Sequence, residues 1–304
     1  MAEFDATFTD LSREHPEWGV VATLPWDGEI FGFNVGEYRP GRPGARPSAP
    51  SLLRARLASW AAEHDVELIA CCAEGDDARL RVAVSDLGFS FVETSLRATL
   101  PRLGAARLPP CRATVRLAEP ADHDALERIA ARSFHHGRYH ADPWFPRELA
   151  DRRYLWWLRS ALSDPAAGTR VYVVGPRGSA KGFLHAEVKD SVADLRLGAV
   201  DPDTNPGTAG FSLYLGTMHA LAEIGVRSVV ARVSATNTAV MNLYAALGFR
   251  FSDRINHGHG RAGVLAQLAA STKLPRDVLC SFWSDLDTSN RVDAADPQDL
   301  FDRI

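Results

Sequence analysis

Two short stretches, Asp86-Leu-Gly-Phe-Ser-Phe91 and Ala246-Leu-Gly-Phe-Arg-Phe251, constrain this 304-residue chain more than any other feature. In each, a helical pattern runs into glycine and the chain then alternates apolar and polar residues. Glycine just past the last turn takes the left-handed conformation that stops a helix. A helix that ends this way and feeds a strand, occurring twice, predicts two related halves. The length agrees, since such a chain is a prior of about two domains. It buries roughly three quarters of its unfolded surface, so it needs no disulfide or metal to fold.

The local patterns fill in the halves. Leu53, Leu57 and Trp60 recur at helical spacing over 52–64, and 66–72 is a short apolar strand. A helix is expected over 77–87 and a strand over 89–100. Residues 101–112 carry three prolines and one glycine, a linker composition. This sets an N-terminal domain at 1–104, a linker at 105–112, a second domain at 113–262 and a C-terminal extension at 263–304. In the second domain a strand is expected at 113–117, with Asp122 capping a helix over 123–133. Residues 134–148 read as loop and 154–162 as helix. Strands follow at 170–174, 182–188 and 192–200, then a helix over 210–224 ended by Gly225. The β-branched run Val226–Val233 reads as a strand buried on both faces. Asn237 caps a helix over 238–246, and 250–255 begins a last strand. Within the extension, Val278, Leu279, Phe282, Trp283 and Leu286 form one more amphipathic stretch. This order is α+β with a mixed central sheet flanked by helices.

Composition removes several classes. Apolar residues at 46% and charged residues at 24% exclude a disordered or fibrous chain. A net charge of −4 with no basic stripe makes nucleic acid a poor partner. Cys71, Cys72, Cys111 and Cys280 include no C-x-x-C pair, so neither a disulfide framework nor a zinc ribbon is expected. The N-terminus is acidic without an apolar core, and no run of about 18 apolar residues exists. The expectation is a cytoplasmic protein that binds no membrane.

Three segments carry chemistry. Gly175-Pro-Arg-Gly-Ser-Ala-Lys-Gly182 resembles a phosphate loop superficially, but it lies between two strands and reads as a hairpin turn. Val200-Asp-Pro-Asp-Thr-Asn-Pro-Gly-Thr-Ala-Gly210 joins a strand to a helix, where N–H groups and the helix dipole suit a pyrophosphate. The third is Asn237-Thr-Ala-Val-Met-Asn242-Leu-Tyr244-Ala-Ala-Leu-Gly248-Phe249. This N-x-x-V-x-x-x-Y-x-x-L-G-F pattern resembles the terminal motif of the GNAT (general N-acetyltransferase) superfamily, and the preceding segments fall into that family's order. Trp26-Asp-Gly-Glu-Ile-Phe31-Gly-Phe33-Asn-Val-Gly36, Leu87-Gly-Phe89-Ser-Phe91-Val-Glu-Thr94 and Ser133-Phe134 with Arg138-Tyr-His140-Ala-Asp-Pro143-Trp144-Phe145 are similar to one branch, the bacterial dTDP-fucosamine N-acetyltransferases. The resemblance covers about residues 20–260.

The resemblance implies a GNAT fold with a truncated GNAT-like N-terminal half and a catalytic C-terminal half. It implies transfer of an acyl group, acetyl from acetyl-CoA or another acyl-CoA, to a primary amine such as that of an amino-sugar nucleotide. Tyr244 matches the tyrosine that protonates the leaving thiolate. Asp194 matches the strand carboxylate that serves as base, directly or through water. Leu197, Ala199 and Val200 match the strand edge that takes the pantetheine arm and polarises the thioester. Asn205, Gly207, Thr208, Ala209, Gly210 and Phe211 match the pyrophosphate loop, with Asn205 and Thr208 standing where the family has Gln or Arg and Gly. Asn237 and Asn242 complete the donor set. Arg138, Tyr139, His140, Trp144, His185 and Glu187 are the expected acceptor residues. His135, His136 and His140 lack a metal-ligand spacing, so no metal is expected. Other readings kept open are a carrier-bound or non-acetyl donor, with an acyl carrier protein as partner, and a catalytically inactive binding module. A homodimer is also left open.

Overall fold

The computed structural model describes residues 8–12, 15, 17–41, 49–75, 78–103, 108–111, 113–163, 165 and 167–270. Its first elements are β1 (Thr9–Asp10), β2 (Val20–Thr23), α1 (Pro25–Phe31), β3 (Asn34–Arg39), α2 (Pro50–Glu63), β4 (Val66–Glu74), α3 (Ala78–Asp86) and β5 (Ser90–Leu100). Then follow β6 (Val115–Leu117), α4 (His123–Ser133), α5 (Arg147–Ser163), β7 (Thr169–Val174), β8 (Gly182–Lys189) and β9 (Val192–Val200). The chain closes with α6 (Pro206–Glu223), β10 (Ser228–Ser234), α7 (Thr238–Ala246), β11 (Arg250–Arg261) and α8 (Ala262–Ala270).

Two compact units result. Val92–Ile255 belong to one; the described residues before Val92 and those from Asn256 on belong to the other. The division falls at 91/92 and 255/256, whereas composition put the boundaries at the 105–112 linker and at 262. The reason is strand pairing: β5 is laid antiparallel on β10 from Ser95 to Leu100, which places it in the second unit.

In the first unit β2 and β3 pair antiparallel, and β3 and β4 pair parallel. A parallel pair needs a crossover, and α2 supplies it. Leu53, Leu57 and Trp60 of α2 are buried against this sheet, as their spacing requires. A Cβ at Gly36 would lie 2.7 Å from the Trp60 ring, so glycine lets the indole rest on β3. The segment from 262 is part of this unit: Leu265 and Leu268 of α8 are buried, and Arg54 donates to the Leu268 carbonyl at 3.1 Å. The amphipathic stretch 278–286 lies outside the described residues.

In the second unit the strand order is β5-β10-β9-β8-β7-β6. Only the β9–β10 pair is parallel there, and α6 is its crossover. The sheet is covered on both faces. α6 and α7 share one core with Leu184, Ala186, Leu195, Val229, Ala231 and Val233. α4 and α5 share another with Val171, Val173, Phe183, Leu197 and Ala199.

Several local expectations change. Asp122 does not cap α4 with its side chain. It accepts from both Arg116 guanidinium nitrogens at 2.6 and 2.9 Å, and from the N–H groups of Glu119 and Gly178 at 3.0 and 2.9 Å. The carboxylate thus ties the 175–182 hairpin turn to the start of α4. α6 begins four residues before the expected 210, because Pro206 suits the first turn and Asn205 caps it. α5 begins at Arg147, inside the expected loop. β10 is not buried on both faces: Val229, Ala231 and Val233 are buried while Arg232 is exposed. Helices α6 and α7 cover only one side of it.

Asp122 is fully buried and its carboxyl is held far below the usual range, first by the Arg116 hydrogen bond. Replacing it by Ala leaves the guanidinium and two N–H groups without their acceptor. Urea denaturation of Asp122→Ala is expected to show a loss of about 3 kcal/mol. Because the native carboxyl titrates below its unfolded value, that difference is full at neutral pH and shrinks as pH falls below about 4.

Candidate active site

β9 and β10 pair only from Val192/Ser228 to Leu195/Ala231. Both strands then continue with their outer neighbours, β9 to Val200 along β8 and β10 to Ser234 along β5. Where they part, β9 carries an extra residue. His185 is opposite Leu197 and Ala186 is opposite Leu195, so Arg196 has no counterpart on β8. A bulge bends its strand and increases its twist. It also exchanges the faces: Leu195 packs with α6 and α7, whereas Leu197 and Ala199 pack with α4 and α5. The result is a wedge between 196–200 and 232–234, open at the carboxyl ends of two parallel strands. Its main-chain groups are not paired across the gap and suit an extended ligand lying where a strand would lie.

Two buried tyrosines close the wedge on the helical side. Tyr244 of α7 stacks on Phe249 at 4.6 Å and meets Tyr214 of α6 edge-on at 5.6 Å. The two phenols are hydrogen-bonded, and burial pushes Tyr214 up to about 12 and Tyr244 well above its ordinary value. Both therefore hold their protons at neutral pH and act as donors. A Cβ on Gly198 would strike the Tyr214 hydroxyl and lie 2.8 Å from Leu184 Cδ1. Glycine in mid-strand is what lets this hydroxyl rest on β9. Tyr214 was not among the sequence candidates; the glycine inside a clean strand pattern was the available signal.

The loop after β9 is firmly placed. Ser133 Oγ donates to the Val200 carbonyl at 3.1 Å, Arg132 grips Asp203 through two bonds of 2.9 and 3.0 Å, and Lys181 reaches Asp201 at 3.2 Å. Asn205 caps α6: Oδ1 accepts the Thr208 N–H at 3.3 Å and its carbonyl accepts the Ala209 N–H at 3.0 Å. A Cβ at Gly210 would meet nothing within 4 Å, and one at Gly207 only Asn205 Oδ1 at 3.6 Å. The chain's own packing thus demands glycine at neither position. Phe211 lies half-buried against the α6 core. Asn237 caps α7, accepting the Val240 N–H at 3.2 Å, and Asn242 is exposed.

On the sheet face away from α6 and α7, charges gather beside the wedge. Asp194 is opposite Glu187, and Arg196 donates to Asp194 at 2.9 Å and lies 3.6 Å from Glu187. His185 is 3% exposed, with neither ring nitrogen hydrogen-bonded. Burial, helped by Arg196, lowers it to about 4, so it is a neutral imidazole. Glu187 Oε1 lies 3.9 Å away, also buried without a hydrogen bond.

The 134–145 loop borders this face. Tyr139 is buried between the Arg138 and Arg153 guanidinium groups, 5.1 and 5.0 Å from its ring. His140 Nε2 bonds Asp151 at 2.8 Å, and the Trp144 N–H donates to Asp142 at 2.9 Å. Tyr139 and His140 therefore shape the loop, while Arg138 and Trp144 stay half-exposed. His136 bonds Thr236 at 3.3 Å, joining the loop to the end of β10. Glu93 of β5, absent from the sequence candidates, is buried beneath this loop, hydrogen-bonded to Ser234 and to Arg138. Among the described residues no group of three or more His, Cys, Asp or Glu is placed to hold a metal ion.

No family model matches the sequence. The mycothiol acetyltransferase of Nocardia farcinica is 29% identical over 245 residues, 76% of this chain and 75% of that protein. The spore coat polysaccharide biosynthesis protein SpsD of Bacillus subtilis is 27% identical over 186 residues, 58% of this chain and 63% of its own length. Among solved structures, a GCN5-related N-acetyltransferase from Sphaerobacter thermophilus superposes with a TM-score of 0.53 at 16% identity, covering 80% of this chain and 76% of that one.

Two outcomes follow from this geometry. Gly198→Ala forces the Tyr214 hydroxyl off β9, an overpacking expected to cost about 1–3 kcal/mol by thermal denaturation. His185 titrates near 4 when folded and near 6.5 when unfolded. Its contribution is therefore intact above pH 6.5 and declines by about 3 kcal/mol as pH falls to 4. Denaturant titrations of wild type and His185→Phe should converge in their pH slopes only outside that window.

Proposed function

We infer that this chain, a GNAT-superfamily N-acyltransferase, carries acetyl from acetyl-CoA to the primary amine of a small molecule. The wedge at the Arg196 bulge, with the protonated Tyr244–Tyr214 pair on its inner side, is the observation that carries this reading. The pantetheine arm would lie along the main chain of Leu197, Ala199 and Val200, completing the hydrogen bonding that β10 leaves open. The pyrophosphate would sit at the start of α6, over Gly207, Thr208, Ala209, Gly210 and Phe211. The clear space in front of Gly210 supports that placement.

The chemistry asks for few groups. A neutral amine attacks the thioester carbonyl, whose oxygen takes main-chain N–H bonds from the 197–200 strand. The C–N bond forms and the C–S bond breaks. The thiolate takes the Tyr244 proton, and a water relay returns one to the phenol. The amine's proton passes to Asp194 or to water. Asp194 is already matched by Arg196, which favours the water route.

The acceptor would lie on the charged face, between the 134–145 loop and β8, against Arg138, Tyr139, His140, Trp144, His185 and Glu187. His185 and Glu187 support this, since buried polar atoms left without hydrogen bonds mark a place for ligand or water. An amino-sugar nucleotide is the acceptor favoured by the resemblance of the 26–36 and 133–145 segments to dTDP-fucosamine acetyltransferases. The name of the Bacillus relative, a polysaccharide biosynthesis protein, points the same way. Acetyl-CoA as donor places the reaction in the cytoplasm. A second donor reading rests on Asn205: its cap engages the Thr208 N–H that a pyrophosphate would use, which favours a carrier-bound acyl group.

Calorimetry decides between the donors. Acetyl-CoA is expected to bind in the micromolar range, with free coenzyme A as control; no heat with either would sink the acetyl-CoA reading. Tyr244→Phe should keep the fold and acetyl-CoA affinity while kcat falls about a hundredfold. An unchanged kcat would remove Tyr244 as the acid.

A further inference from the structure

Glu93 sits on β5 two residues beyond the Ser95–Ser234 pair. It is 7% exposed. The Ser234 hydroxyl and the Arg138 N–H hydrogen-bond to the carboxylate, yet Oε2 is buried with no partner. Burial pushes the acid up from its ordinary value, while Ser234 and Arg138 pull it back. A glutamine would satisfy the serine and the loop N–H equally well. The Arg138 charge favours a carboxylate over an amide, yet Oε2 itself is left without a hydrogen bond, which costs stability when desolvated.

Its position assigns a direction. Leu96, Ala98 and Leu100 turn toward the α6 core, so Glu93 lies on the opposite face, the one that carries Asp194 and Glu187. It is also the face bordered by the 134–145 loop through Arg138. β9 lies two strands away, a separation of about 10 Å that the wedge only widens. Direct proton exchange with an amine at the thioester needs a contact near 3 Å, so Glu93 is out of reach as the base.

We propose that Glu93 Oε2 is a recognition point for a second hydrogen-bond-donating group of the acceptor, a hydroxyl or an ammonium, held roughly 10 Å from the amine that is acetylated. The inference rests on the acceptor occupying the face described above. It makes the acceptor a bifunctional molecule: one amine at the wedge, one donor under the loop. A monofunctional amine leaves Oε2 buried and unpaired, and a site built to hydrogen-bond a group rejects ligands that lack it.

Three seven-carbon probes span that distance and differ only at the far end: heptylamine, 7-aminoheptan-1-ol and 1,7-diaminoheptane. In protein carrying 13C at glutamate carboxyls, the Glu93 resonance is identified by its loss in Glu93→Gln. With coenzyme A present, that resonance should move on adding the amino alcohol or the diamine, and stay put with heptylamine. Movement with the alcohol or with the diamine alone says which donor is preferred. No movement with either, or equal movement with all three, overturns the proposal. Initial rates give a second reading. Wild type should favour the bifunctional probes about tenfold in kcat/KM, and Glu93→Gln should erase that preference through KM. Because Gln keeps the Ser234 and Arg138 bonds, a preference that survives the change also overturns it. Acetyl-CoA calorimetry on the same variant separates this result from a failure of the donor site.

Discussion

One extra residue in one strand organises the second unit. Arg196 has no counterpart on β8, and β9 leaves β10 at that point. A parallel pair without a bulge would continue zipping until one strand ended. Here the ladder stops after four pairs while both strands run on. The main chain proposed to take the donor's pantetheine arm borders the gap this creates. The same bulge lets Leu197 and Ala199 enter the α4–α5 core, which anchors the displaced half of β9. The cost of the unpaired main chain is offset by this packing.

The first unit treats its own parallel pair differently. There α2 joins the parallel strands β3 and β4, whose register shifts once, between Asn34 and Val35. Its parallel strands β3 and β4 stay paired from Asn34/Val66 to Tyr38/Cys71, nearly the whole of β3. No gap opens, and the space beside the strands is filled by Trp60 resting on Gly36. The two units thus differ at their parallel strand pairs. This is why chemistry is assigned to Val92–Ile255 alone.

Polar groups within the second unit divide into two kinds. Asn205, Asn237, Asp122, Tyr139 and His140 are engaged in holding helices, a hairpin and a loop. His185, Glu187 and Glu93 carry buried atoms with no hydrogen bond. The first kind is what a fold needs. The second kind weakens a fold, and His185, Glu187 and Glu93 share the sheet face opposite α6 and α7. Solved relatives share the architecture at low identity, so the acceptor chemistry of this chain has to be read from those side chains and not from the fold.

Much of this was legible in the amino-acid order. Hydrophobic spacing located most helices and strands, and the repeated Leu-Gly-Phe marked two helix ends because glycine alone takes the left-handed stop at low cost. The motif at 237–249 carried the superfamily resemblance and drew attention to Tyr244. Other features depend on contacts between residues far apart in the chain. The bulge at Arg196 is invisible in β9 by itself, since it exists only relative to the register of β8. Tyr214 and Glu93 look like ordinary members of a helix and a strand until folding buries them beside the wedge and the 134–145 loop. Asp122 reads as a helix cap until Arg116 and Gly178 arrive. Local conformational preference determined where the elements lie; pairing register and burial, which no local segment contains, decided which of their side chains face a ligand.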